Sequence, residues 1–271
     1  TYEAFKLCNL DFEDIIAITM PCFGTTARTK GNAEILSEKL GVTLECIDIT
    51  KSVLQHFEDI GHDMNDHSVT FENAQARERT QVLMDVANKI NGLHVGTEDL
   101  SEYVDGWCTY NGDHTSMYNV NMGLTKTQVR AAVKYIASTT EDKVLADALW
   151  DVLDCPVSPE LLPVTDDTIE QKSEEEVGSY SLQDFFTHKM LSCGFTPSKT
   201  LRLAEMAYGD EFSRDDLIMW LKSYCVRLCS QQFKRSCMPD GVKVGSVTLS
   251  PRGDWKMPSD ADVALWLAEL E

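Results

Sequence analysis

The sequence predicts an α/β fold, a parallel sheet with helices on both faces, followed by a mostly helical C-terminal part. Three observations carry this. Short β-branched runs alternate with amphipathic helical stretches between residues 14 and 95, and a βαβα order of this kind builds parallel sheets. Pro156, Pro159 and Pro163 then interrupt the chain, and apolar residues beyond them recur mainly at helical spacing. Hydrophobic residues make up 43% of the 271, enough to fill a core. The expected division is an α/β part over residues 1–155 and a helical part with a closing tail over 156–271.

Taken in order, Thr1-Tyr2-Glu3 reads as the interior of a helix. Residues 14–19 form the first strand, ending at Met20-Pro21 with Gly24 close behind. Residues 32–40 repeat apolar groups at helical spacing, and Gly41 is a good helix stop. A second buried strand is expected over 42–47, then a helix over 50–60 with Val53, Leu54 and Phe57 inward. A long helix starts at Thr70, with Ala76, Leu83, Ala87 and Ile90 in one stripe. Leu93-His94-Val95 enters a third strand, with His94 a satisfied core group. Helices follow over 125–137 and 141–153, and the acidic stretch 166–176 reads as a loop or lid. Three capped helices should begin at Ser181 (with Asp184), Thr196 (with Pro197) and Ser213 (with Asp216), and a short one after Ser259.

A net charge of −20 argues against nucleic-acid binding, because phosphate recognition needs clustered Lys and Arg. Nine cysteines without a C-x-x-C pair suit reduced cytosolic thiols better than a disulfide framework. The apolar runs are too short to span a membrane.

Ligands of open parallel sheets gather beyond the carboxyl ends of the strands, which singles out the loops at 20–29 and 96–112. Val95-Gly96-Thr97 leads at once into a helix with Glu102 in its first turn. Free N–H groups there suit phosphate or hydroxyl oxygens, and a carboxylate there suits Mg²⁺ or simply complements the helix dipole. Asn73 and Arg77, four apart, share a helix face that would fit an anionic ligand or merely solvent. Residues 106–114 crowd Trp107, Cys108, Thr109, Tyr110 and Asp113 into a loop with two glycines, more like a binding wall than core. Lys126, Lys234 and Arg235 are cations in an acidic chain, placed to face phosphates or solvent. No histidine or cysteine pair has metal-ligand spacing with matching partners.

Several blocks, in order, resemble the glutamine-dependent NAD synthetases: Met20-Pro21-Cys22-Phe23-Gly24-Thr25-Thr26, Glu72 to Arg77, Gly96 to Glu102, Gly106 to His114, Gln171 to Glu174, Gln231 to Cys237 and Leu249 to Trp255. The resemblance covers nearly the whole chain. It implies a Rossmann-like ATP-pyrophosphatase (adenine nucleotide α-hydrolase-like) fold and a two-step ligase reaction. ATP adenylates the carboxylate of deamido-NAD, and ammonia then displaces AMP to give NAD. It further implies Mg²⁺, a glutaminase domain in the same parent chain as ammonia source, a homo-oligomer and a cytoplasmic location.

Carried onto this chain, the resemblance implies ATP contacts from Met20, Gly24, Thr97, Lys126 and Ser158. Deamido-NAD contacts would come from Asn73, Arg77, Glu102, Trp107, Cys108, Thr109, Tyr110 and Lys234. Glu102 would also hold the metal, and Glu102 and Lys234 would be the catalytic pair. The family's Ser-Gly-Gly-x-Asp-Ser pyrophosphate loop and first strand should precede Thr1, so a fragment with little activity of its own is expected. The rival expectations are a silent nucleotide-binding or assembly module and a GMP synthetase-like amidating enzyme.

Overall fold

The computed structural model describes residues 1–158, 160–163 and 173–271. They fall into two compact units: Thr1–Gly92 with Arg130–Lys172, and Leu93–Val129 with Ser173–Glu271. This is not the expected division at residue 155. Residues 93–129 group with the C-terminal stretch because Leu100, Tyr103, Val104 and Met122 share one core with Leu182, Leu217, Leu221 and Leu228. A short helical stretch cannot bury its apolar face alone.

The first unit opens with helix α1 (Tyr2–Cys8) and strand β1 (Ile16–Thr19). Helix α2 (Ala27–Leu40) follows, five residues longer than the apolar spacing showed, because Thr26 caps it by accepting the Thr29 N–H. Strand β2 (Thr43–Cys46) pairs in parallel with β1, Ile16 opposite Thr43. It is half exposed rather than buried. Helix α3 spans Thr50–Ile60 as the spacing predicts. Val53 and Phe57 point inward, whereas Leu54 is 39% exposed. These two, with Ile49, Phe71 and Ala74, make the core of this unit. Helix α4 (Val69–Ile90) buries Ala76 and Ala87 but leaves Ile90 at its frayed end exposed. Asn91 closes it in the left-handed conformation. Helix α7 (Lys143–Asp154) packs on α2, where Arg28 forks onto the Asp151 carboxylate at 2.6 and 2.9 Å.

The second unit contains strand β3 (Val95–Gly96), helix α5 (Leu100–Asp105), strand β4 (Tyr118–Asn119) and the start of helix α6 (Lys126–Thr139). The strands are parallel, as the alternation implies, but among the described residues they form two pairs, β1–β2 and β3–β4. Strand β4 had no alternating pattern to announce it. The pairing depends on Gly96, where a Cβ would lie 2.4 Å from the Ser116 Oγ.

Helices α8 (Ser173–Val177), α9 (Tyr180–Thr187), α10 (Pro197–Tyr208), α11 (Arg214–Ser230), α12 (Gln232–Arg235) and α13 (Ala264–Ala268) complete this unit. Thr196 and Ser213 cap α10 and α11 as expected. Ser181 does not cap α9: the helix starts two residues earlier, after Ser179. Asp184 is drawn elsewhere. Of the acidic stretch 166–176, residues 166–172 lie outside the described residues, and the remainder is α8 rather than loop. Its Glu174 carboxylate accepts the Tyr180 N–H at 3.0 Å. All nine cysteines are free thiols. No described helix is long and apolar enough to cross a membrane.

Candidate active site

In the second unit, the turn after β3 exposes Thr97 and then buries Glu98 and Asp99. Asp99 opens α5 with a reciprocal cap: its Oδ1 accepts the Glu102 N–H at 3.1 Å, and Glu102 Oε2 accepts the Asp99 N–H at 3.0 Å. Lys126 sits between the same two side chains, its Nζ 2.7 Å from Asp99 Oδ2 and 2.9 Å from Glu102 Oε1. Burial and the charge of Glu102 push the Asp99 carboxyl up to about 7, although Lys126 pulls the other way. Burial works against the Lys126 ammonium, but Glu102 and Asp99 outweigh it and raise its pKa. The result is a sheltered cation whose charge is already matched in the protein, so an incoming phosphate must compete with two carboxylates for it. Glu102 thus complements the helix end and pairs with the Lys126 ammonium.

The 106–114 segment is a wall held from behind. Lys234 on α12 donates to the Gly106 and Cys108 carbonyls, both at 2.7 Å. Burial pulls the ammonium's pKa down. Gly106 has φ +59, and a Cβ there would meet Gln231. Trp107 Nε1 donates to Ser173 Oγ at 3.0 Å, with the Arg227 guanidinium 5.5 Å from its ring centre. The Thr109 N–H donates to Asp113 Oδ1 at 2.7 Å, and Tyr110 lies against Phe233 and His114. Behind them Glu98 is buried with Oε2 lacking a hydrogen-bond partner. Burial first, then the Asp113 charge, raises the Glu98 carboxyl well above its ordinary value. Burial and Asp113 likewise raise the Cys108 thiol.

Two sequence expectations need correcting in this unit. Arg235 does not face solvent or phosphate. It is fully buried and donates to the Tyr103 and Val104 carbonyls at 3.0 Å, serving the carbonyl end of α5. Burial lowers its pKa to about 10. His94 is not a satisfied core group, since its Nδ1 is buried without a partner.

In the first unit, two of the remaining candidates, Gly24 and Ser158, meet at Glu160. Met20, Cys22 and Phe23 pack against the Ile49, Val53, Phe57 and Phe71 core, and the Met20 carbonyl accepts from Arg79 Nε at 3.3 Å. Gly24 touches the Glu160 carbonyl so closely that a Cβ would lie 2.2 Å from it. Ser158 Oγ accepts the Glu160 N–H at 3.1 Å, so Ser158 and Gly24 share that neighbour. Asn73 is half-buried and Arg77 exposed, one turn apart on α4. Gln75 between them donates to the Leu161 carbonyl at 2.8 Å. Gln75 and Glu160 were missed from sequence, because nothing local distinguishes them from any other polar residue.

The model of the NAD synthase family, described as NAD synthase, matches residues 4–188. The chain belongs to this family. A glutamine-dependent NAD(+) synthetase of Mycobacterium leprae is 40% identical over 95% of the chain. An NH(3)-dependent NAD(+) synthetase of Chlorobium phaeobacteroides is 32% identical over 52% of the chain and 51% of its own length. The chain spans 42% of the M. leprae protein. A crystal structure of a glutamine-dependent NAD(+) synthetase from Cytophaga hutchinsonii superposes over 94% of the chain and 40% of its own, with a TM-score of 0.74 and 16% identity. The NMN synthetase from Francisella tularensis superposes over 79% and 75%, with a TM-score of 0.54 and 20% identity. The fold of this NAD synthase family chain is thus the Rossmann-like one its blocks implied.

Proposed function

We propose that the chain is the NAD-forming part of a glutamine-dependent NAD synthetase, amidating deamido-NAD at the expense of ATP. The observation that carries this reading is Lys126, held between Asp99 and Glu102 at the carboxyl end of a parallel strand, in a chain of the NAD synthase family. A free carboxylate resists ammonia, whereas an acyl-adenylate does not. The nicotinate carboxylate attacks the α-phosphorus of ATP, and pyrophosphate leaves. Ammonia then attacks the activated carbonyl, and AMP leaves with the shared oxygen.

In this reading Lys126 turns from its carboxylates to the phosphate oxygens, stabilising charge that grows as pyrophosphate departs. Thr97, exposed at the strand end, offers a hydroxyl to the same oxygens; Ser158 is the ATP contact this reading assigns to the first unit. Met20 and Gly24 line the adenine, largely by backbone. Asn73, Arg77, Trp107, Cys108, Thr109 and Tyr110 hold deamido-NAD. Lys234 fixes the 106–108 carbonyls and, with Glu102, borders the reacting carboxylate.

Among the described residues no group of three or more His, Cys, Asp or Glu could form a metal cage. Glu102 beside Asp99 fits the way Mg²⁺ is commonly held, by one or two carboxylates together with substrate phosphates. When bound, that ion would neutralise phosphate charge. The reading includes ammonia from a glutaminase domain of the parent chain, and a cytoplasmic homo-oligomer.

The test uses the protein carrying this chain, supplied with deamido-NAD, ATP and ammonium. NAD, AMP and pyrophosphate should appear in equal amounts, and Lys126→Met should lower kcat on the order of a hundredfold. Absence of all three products sinks the reading. Amidation of xanthosine monophosphate in place of deamido-NAD would sink it too.

A further inference from the structure

The N-terminus of α6 presents four backbone N–H groups that no helical carbonyl can satisfy. Their partners can all be named. Thr125 and Gln128 serve each other: Gln128 Oε1 accepts the Thr125 N–H at 3.0 Å, and Thr125 Oγ1 accepts the Gln128 N–H at 3.4 Å. The other two partners come from different helices. Ser101 Oγ on α5 accepts the Lys126 N–H at 2.8 Å, and Asp184 Oδ2 on α9 accepts the Thr127 N–H at 3.0 Å.

Asp184 also accepts the Thr127 hydroxyl at 2.5 Å and the Ser101 hydroxyl. One buried carboxylate therefore ties together the turn that begins with Lys126 and the helix that carries Glu102. Its negative charge also lies where the helix dipole favours it. Removing it would leave the Thr127 donor and the Ser101 hydroxyl without an acceptor, and Lys126 without a fixed base.

We propose that Asp184 is a positioning residue that sets where the Lys126 ammonium sits, acting through Ser101 and the first turn of α6. Its kinetic consequence rests on the function proposed above, and its geometric consequence does not. Asp184 and Thr127 also line a cavity of about 440 Å³, wide enough for a small carboxylate to reach the place of a deleted side chain.

The experiment compares the protein carrying this chain with its Asp184→Ala and Asp184→Asn variants. Asp184→Ala should lower kcat for NAD formation on the order of a hundredfold, a common cost of misplacing a reacting group by an ångström. The KM for deamido-NAD should stay near the wild-type value. Added formate should recover much of the loss, which a merely structural defect would not allow. Acylation of Lys126 by acetic anhydride, mapped by mass spectrometry against exposed Lys243, should rise several-fold in the variant and fall again with formate.

Asp184→Asn keeps the volume, leaving no room for formate, and supplies the kcat and acylation readouts if the alanine variant does not fold. Wild-type kcat together with wild-type Lys126 acylation in a folded variant overturns the proposal, as does a defect in a folded Asp184→Ala variant that formate leaves untouched. If the wild-type protein forms no NAD, the functional reading has failed, and the acylation pattern alone decides the role of Asp184.

Discussion

Asp105 closes α5 one turn beyond Glu102, fully buried and with both carboxylate oxygens lacking hydrogen-bond partners. Burial drives its pKa from 3.8 to about 8, against the pull of Arg227. A carboxyl raised in the folded state binds more protons there than in the unfolded chain, between those two values. Its contribution is therefore complete below pH 3.8 and is lost as pH rises through about 8. Over that window one such group costs about 1.4 kcal/mol of stability per pH unit. Asp105→Asn removes the titration while keeping the shape. Urea unfolding of the variant at several values between pH 5 and 9 should give a flatter profile than wild type, with the largest relative gain at high pH. An identical slope in both proteins would mean that folding does not raise the Asp105 pKa. None of this was legible in the sequence, where Asp105 is one acid among many and nothing local marks its burial.

The elements differ in how openly they were written. Helices α3, α10 and α11 carry their own instructions: apolar spacing, for α10 and α11 a capping side chain, and for α3 Gly61 as a left-handed stop. The Ser213 cap of α11 is reciprocal, Ser213 accepting the Asp216 N–H and Asp216 accepting in return. Ser213→Ala should therefore cost about 1 kcal/mol in urea denaturation, the usual value of such a cap. A change below a few tenths of that would show α11 to be held by burial of Leu217, Leu221 and Leu228 alone. Other elements were illegible because their causes are remote. Strand β4 exists through pairing with Val95 and Gly96 and through a bridge to Asp240. The π-helical turn at His188–Ser192 extends α9 without any signal in its composition. Ser181-x-x-Asp184 looked like a cap, yet Asp184 serves another helix, a competition that local pattern cannot settle.

Across the whole molecule, the ionisable groups divide unevenly between the two units. Glu98, Asp99, Asp105 and Asp113 in the second unit all have carboxyls raised by burial. In the first unit the shifts of Asp48, Asp63, Asp142 and Asp151 run downward, toward the charged form, with Glu160 the exception there and exposed Glu269 the exception in the second unit. Alkaline conditions should accordingly loosen the second unit first. Hydrogen exchange corrected for intrinsic rates, followed from pH 6 to pH 9, should show protection falling in α5 and α9 before α3 and α4. Equal losses in both would refute the asymmetry. The candidate site was legible as far as its blocks went, since Thr97, Glu102, Lys126 and the 106–114 wall stand in the same unit. The groups that hold them, Asp99, Asp184 and Arg235, became visible only through tertiary partners. The wall also bears on inhibitor chemistry. Cys108 invites a covalent warhead, but its raised pKa keeps the sulfur protonated, and the thiolate is what attacks an electrophile. Such a reagent would spend itself on exposed Cys8, Cys46 and Cys193. A compound for this site is better built to displace the Lys126 ammonium from Asp99 and Glu102 than to capture a sulfur.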